Sequence, residues 1–166
     1  ILTRVFFPLI MDEQICVNRS VAEQIRKYPG AIIGRKPITV IPNALPEEMI
    51  QYARTTVQIP RRVNKGPNYL IVSIGRITRL KGYEYLLRAM PEISKSFSSV
   101  ELWIVGDGPD LSRLKQMAHD LGISHQVIFT GQQNDIPSIL EKADLFVLPS
   151  LVEAFPTVIL ESMAYG

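Results

Sequence analysis

The chain has 166 residues, 46% of them hydrophobic, and a formal charge of +2, enough to bury the core of one domain or parts of two. Its single cysteine, Cys16, excludes an intrachain disulfide and has no metal-ligand partner, which suits a reducing cytoplasm. No apolar run reaches the ~18 residues of a membrane span, and the apolar segment 5–11 contains Pro8 and lacks the pattern of a signal peptide. Charge is uneven: residues 1–66 carry ten basic against five acidic side chains, residues 67–166 eight against eleven. Within the acidic part, Arg76, Arg79 and Lys81 fall close together, which points to a local anion site rather than a nucleic-acid surface. The basic first part is compatible with contact to an anionic membrane face. Ile1 opens the sequence without Met and Gly166 falls inside a helical pattern, so the chain reads as an excerpt.

In chain order, residues 14–17 predict a strand and residues 21–27 a helix, with Ser20 as N-cap and Glu23 completing a capping box. Pro29-Gly30 ends that helix. Residues 38–41 form a short β-branched run closed by Pro42-Asn43, and residues 44–66, broken by Pro46 and Pro60, predict a connection with one short helix. From Asn68 the pattern becomes regular. Strands at 69–74, 100–105, 126–130 and 145–148 alternate with helices at about 82–96, 110–121 and 136–142. The first of these helices has Tyr85, Leu86, Ala89, Met90 and Ile93 on one face, and Pro91 predicts a kink or an early end. Near-continuous apolar strands alternating with helices predict an α/β fold, a Rossmann-like parallel sheet with flanking helices. Trp103, Phe129 and Phe146 are expected in its core.

All strand ends of such a sheet face one edge, where ligands bind. Gly75-Arg76, Gly106-Asp107-Gly108, Gly131-Gln132-Gln133 and residues 150–153 leave the four strands there. Arg76 and Lys81 bracket the first loop, one a planar fork and the other a compact charge, and both suit phosphate. Arg79 lies between them. Gly106-Asp-Gly-Pro is not GxGxxG, because Leu111 stands where the third glycine would be. His119 and His125 show no partners and read as structural. No Ser/His/Asp order, HExxH, paired cysteine or DxD occurs, so no metal site is expected. Beyond the fourth strand, Glu153 stands in a loop and Glu161 on a helix starting near Thr157, which offers a capping hydroxyl. Val158, Ile159, Leu160, Met163 and Ala164 supply that helix's apolar side. By spacing alone, these carboxylates read as solvated surface charge, a surface loop and a helical Glu, rather than as a site.

Several of these segments together resemble the donor half of a GT-B glycosyltransferase of the retaining group 1, family 4 type. Ile74-Gly-Arg-Ile-Thr-Arg-Leu-Lys-Gly82 and its helix match the family's GR…KG…LL.A segment, and residues 102–114 its "l.ivGdGp…l" segment. Residues 127–131 match V.F.G, residues 143–150 match "aD.fvlPS", and Glu153 through Glu161 match the E-x7-E signature. Val40-Ile-Pro-Asn43 resembles the I-P-N-G domain junction, with Ala44 in place of glycine. Pro156 stands where glycine is frequent, and it cannot donate a backbone N–H.

The resemblance implies that residues 1–42 are the tail of an N-terminal acceptor-binding domain and 43–66 an interdomain connection. Residues 67–166 would begin the C-terminal nucleotide-sugar-binding domain. It implies transfer of a sugar from a nucleoside-diphosphate sugar to a glycan, lipid-linked sugar or small molecule. Configuration would be retained, with no metal and no cofactor beyond the donor. The implied site has Arg76, Lys81 and Glu153 as catalytic residues: the two cations on the diphosphate, the carboxylate on sugar hydroxyls. Gly75, Gly106, Gly131, Gln132, Gln133, Phe155, Pro156, Thr157, Val158 and Glu161 would bind the donor, with Glu161 on the ribose and Gln133 near the base. The excerpt by itself is expected to be inactive. A non-catalytic sugar-nucleotide binder remains open. An epimerase is disfavoured by the E-x7-E frame, and a dehydrogenase by the missing GxGxxG.

Overall fold

A computed structural model describes residues 14–27, 37–56 and 68–165. Its contacts divide into two compact units: residues 1–45 with 153–157, and residues 46–152 with 158–166.

In the smaller unit, β1 (Gln14–Cys16) and β2 (Ile38–Val40) pair in parallel, and α1 (Arg19–Arg26) packs on them through buried Ala22. Asn18, not Ser20, caps α1: its side-chain oxygen accepts the Val21 N–H at 2.8 Å. The capping box centred on Ser20 therefore sits two residues too late, and Ser20 is already helical. Cys16 is buried and free. The helix stop expected at Pro29-Gly30 lies outside the described residues.

The larger unit opens with α2 (Glu47–Thr56), the short helix expected in the 44–66 connection. A four-stranded, all-parallel sheet follows in the order β5-β4-β3-β6, formed by β3 (Tyr69–Ile74), β4 (Val100–Val105), β5 (Val127–Gly131) and β6 (Leu145–Phe146). The order reverses beside β3, the topological switch at which doubly wound sheets open a crevice. Alternation along β3 and β4 sends side chains to both faces. Ile71, Leu102 and Ile104 pack under α3 (Tyr83–Ser96) and α4 (Leu111–Asp120) with Leu87, Met90 and Leu114, all 0–5% exposed. Leu70, Val72 and Val105 face the opposite layer with Ile139 of α5 (Ile136–Leu140), and Trp103 and Phe146 pack there partly buried. Each fully buried Leu, Val or Ile contributes about 1.5–3 kcal/mol relative to exposure.

Two expectations for α3 change. Its buried face is Tyr83, Leu86, Leu87 and Met90, whereas Tyr85 is 54% exposed and Ala89 is exposed. Tyr83 takes the core position because its hydroxyl reaches the Gly75 carbonyl at 3.0 Å. Pro91 does not end the helix, which continues to Ser96. Three other elements differ in extent. Helix α5 stops at Leu140. β6 pairs over two residues, prolonged by the Val147 N–H on the Val72 carbonyl at 2.9 Å. Thr157 is the first residue of α6 (Thr157–Tyr165) rather than the residue before it. Of the apolar side foreseen for α6, Ala164 is buried, while Ile159 and Met163 are exposed.

Candidate active site

The loop leaving β3 is fixed by its own backbone. The Gly75 N–H reaches the Val105 carbonyl at 2.9 Å, and the Gly106 N–H reaches the Gly131 carbonyl at 2.8 Å, so the three strand-end glycines follow one another across the edge. A Cβ on Gly106 would lie 2.1 Å from the Gly75 carbonyl oxygen, so no larger residue fits there without parting the two loops. Beyond Gly75, the Ile77 side chain is fully buried, and a 3-10 turn (Arg79–Lys81) leads to Gly82. Gly82 is left-handed (φ 66°), and a Cβ there would sit 2.1 Å from the Pro149 carbonyl oxygen. That close approach brings the end of the fourth-strand segment against the basic turn, and the Leu151 N–H bonds the Leu80 carbonyl at 2.8 Å.

These loops enclose a cleft of about 600 Å³. Gly75, Arg76, Gly106, Gln132 and Gln133 line it together with Ile74, Val105, Asp107, Gly108 and Ile136. Arg76 is exposed. Gln133 is oriented by the bond from its Nε2 to the Thr130 carbonyl at 2.8 Å. Lys81 is half-buried in the turn behind Arg76 and is not part of the lining. Gly131 meets the cleft only through its bond to Gly106. Glu153, Phe155, Pro156 and Thr157 group with the smaller unit, where Asn18 Nδ2 donates to the Ala154 carbonyl, while Val158 and Glu161 lie in α6 of the larger one. His119 and His125 are exposed and outside the cleft, and His119 Nδ1 lies 3.5 Å from Asp120.

Sequence reasoning gave no role to three features of the larger unit. Asp107 and Ile136 join the lining. Asp144, within the segment 143–150, clamps the start of β3: its carboxylate accepts the Leu70 N–H at 2.8 Å, and its own N–H returns a bond to the Leu70 carbonyl at 2.8 Å. The third is an ion-pair cluster behind the cleft, in which Arg113 forks onto Asp110 at 2.6 and 2.7 Å and meets Glu84 at 2.9 Å. The Arg113 fork holds the Asp110 carboxyl below the usual carboxylate range, against the opposing effect of burial. Hydrogen bonds from the Ser138 hydroxyl and N–H likewise depress Asp135, the N-cap of α5.

A crevice at the switch point of a parallel sheet, bordered by glycine turns and an exposed arginine, is where α/β domains of this kind hold ligands. Residues 55–166 match the family model of glycosyl transferases group 1, and the chain belongs to that family. It is 33% identical over 119 residues to an uncharacterized glycosyltransferase of Haemophilus influenzae, covering 71% of this chain and 34% of that protein. It is 30% identical over 155 residues to the lipopolysaccharide core biosynthesis glycosyltransferase LpsD of Rhizobium meliloti, covering 92% of this chain and 41% of the relative. The chain thus spans well under half the length of these relatives. The Anabaena Alr3699/HepE structure in complex with UDP and glucose superposes with a TM-score of 0.77 at 20% identity, covering 99% of this chain and 45% of that one. The fold is accordingly a portion of a GT-B glycosyltransferase.

Proposed function

We propose that this chain supplies the donor-nucleotide site of a glycosyltransferase that moves a sugar from a nucleoside-diphosphate sugar to an acceptor with retention of configuration. The observation that carries this reading is the cleft at the carboxyl edge of β3, β4 and β5, lined by Arg76, glycine turns and the Gln132–Gln133 pair. Arg76 faces the diphosphate as a fork, and Lys81 adds a second positive charge from the following turn. As the bond from the anomeric carbon to the diphosphate breaks, the diphosphate keeps the electron pair and gains charge. Two preorganised cations favour that state, the service an oxyanion site performs. The acceptor hydroxyl then bonds the anomeric carbon on the face the diphosphate leaves, and its proton passes to the departing diphosphate oxygen. Gln133 and its neighbours hold the base, Glu153 the sugar hydroxyls, and Glu161 the ribose. Phe155, Thr157 and Val158 contribute donor contacts, and Pro156 contributes no backbone donor. The reaction uses no metal and no cofactor beyond the donor.

The name of the Rhizobium relative supports an acceptor of the lipopolysaccharide or glycolipid class. The HepE complex with UDP and glucose supports a nucleotide-sugar donor. No helix among the described residues is long and apolar enough to cross a membrane. The lone thiol of Cys16 favours the cytoplasm, with the basic first part on an anionic membrane face.

The test is titration of the protein with UDP-, GDP- and ADP-sugars. One should bind, and Arg76→Ala should weaken that binding about 10- to 100-fold, the loss of a charge-assisted contact. Glu161→Ala should also weaken nucleotide binding, and Arg76→Ala combined with Lys81→Ala should depress turnover. Unchanged affinity and unchanged rate when these variants are made in the full-length protein would sink the assignments.

A further inference from the structure

Both loops that form the diphosphate side of the cleft are tied to one guanidinium that does not line it. Ile77 lies between them. Its N–H reaches the Asp107 carbonyl at 2.8 Å, and its own carbonyl accepts the Asp110 N–H at 3.2 Å. The Arg76 loop is therefore strapped to the Gly106–Asp110 turn by a two-way backbone contact around a fully buried side chain. Asp110 closes that turn and is 8% exposed. Arg113, one turn into α4, holds its carboxylate with two parallel bonds, Nε to Oδ1 at 2.7 Å and Nη2 to Oδ2 at 2.6 Å. The remaining nitrogen, Nη1, reaches Glu84 Oε2 at 2.9 Å. Glu84 stands in the first turn of α3, directly after Lys81 and Gly82. One planar fork thus joins the end of the β4 turn to the end of the β3 loop.

We propose that Arg113 is a positioning residue for the diphosphate subsite: bridging Asp110 and Glu84, it fixes the Ile77 strap and so sets Arg76 and Lys81. The proposal rests on the donor reading above. A lysine cannot replace the arginine, because a single ammonium lacks the parallel donors that span two carboxylates. Among the described residues, Gln132 and Gln133 on the base side of the cleft make no side-chain bond to Arg113, Asp110 or Glu84, and Gln133 bonds the Thr130 carbonyl instead, so their contribution to binding should be untouched.

The test compares the protein with Arg113→Met and Arg113→Lys, titrating each with the nucleoside diphosphate that the wild type binds and with the matching nucleoside. Amide hydrogen exchange is followed at Ile77 and Asp110. We expect both variants to lose about tenfold in diphosphate affinity, equivalent to one lost net contact of about 1.4 kcal/mol. Nucleoside affinity should stay within about twofold, and the Ile77 and Asp110 amides should exchange faster. Equal losses for nucleoside and diphosphate would make Arg113 a general stabiliser and overturn the proposal, as would unchanged exchange at Ile77 and Asp110. Full rescue by Arg113→Lys would overturn it too. A wild type that binds no nucleoside diphosphate overturns the donor reading itself, a failure distinct from a wild type that binds while its variants bind equally well.

Discussion

Strand β3 pairs with β4 over six residues and with β6 over two. The packing follows the same division. On the face covered by α3 and α4, thirteen buried side chains among the described residues form one cluster, and on the other face four do. The first group sits under the loops that carry Arg76 and Lys81. Outside both clusters, α6 carries Glu161 but buries only Ala164, with Met163 72% exposed, and Leu145 of β6 is 54% exposed. The proposed donor contacts therefore stand on two differently supported parts of the fold. The cations stand on loops fixed by a core and by backbone bonds within the larger unit, whereas Glu161 stands on a helix with little apolar burial of its own.

The largest expected effect follows directly. Leu102→Ala, in the densely packed half, should cost about 2–5 kcal/mol of unfolding free energy, because the cavity left by a fully buried leucine refills poorly. Met163→Ala on α6 should stay within about 0.5 kcal/mol. Denaturant unfolding of the two variants measures both, and comparable losses would erase the contrast.

Gly82→Ala comes next, at about 1–3 kcal/mol for a left-handed non-glycine backbone, aggravated by the contact with the Pro149 carbonyl oxygen. The damage should be local. Lys81 directly precedes Gly82 and Arg76 lies in the same loop, so nucleotide affinity should fall along with the melting temperature. A loss of stability with affinity intact would mean that the turn and the cleft are independent.

Asp110 sharpens the comparison through pH. The fork from Arg113 lowers its folded-state pKa, and Arg79 acts in the same direction. Its stabilising effect is therefore present above the unfolded carboxylate value of about 3.9 and disappears as pH falls through the lower folded value. The melting-temperature gap between the wild type and Asp110→Asn should be widest near neutrality and close at strongly acidic pH. A gap that does not change with pH would mean that the carboxylate charge is not what the bridge uses.

What could be read from the residues alone has a physical boundary. The strands and their order along the chain were legible because apolar runs alternate with helical periods, and Gly75, Gly106 and Gly131 mark where strands end. Placing Arg76, Gln132 and Gln133 on one edge followed from the parallel topology. Side-chain choices between neighbours were not legible. Tyr83 and Tyr85 have equal claims on a helix face until the Gly75 carbonyl decides for Tyr83, and Asn18 and Ser20 are both cap-forming residue types until the extended backbone at Asn18 and its bond from the Val21 N–H place the cap there. The Glu84–Arg113–Asp110 bridge was invisible because it joins two helices through charges that look like ordinary surface residues in the sequence.

The smallest prediction concerns a flaw in the dense half. Ser73 is 0% exposed on β3, and its hydroxyl has no hydrogen-bond partner among the described residues. An unsatisfied buried hydroxyl costs about 1–3 kcal/mol, whereas a made bond returns about 1 kcal/mol. Ser73→Ala removes the oxygen while leaving the Cβ in place, so it should raise stability by about 1 kcal/mol, or roughly 2–4 °C in melting temperature for a chain of this size. The sign is decisive, since deleting atoms from a close-packed face normally destabilises it. A fall of similar size would show that the hydroxyl is bonded after all, for instance to a buried water, and that this face of the sheet contains a polar link rather than a uniformly apolar layer.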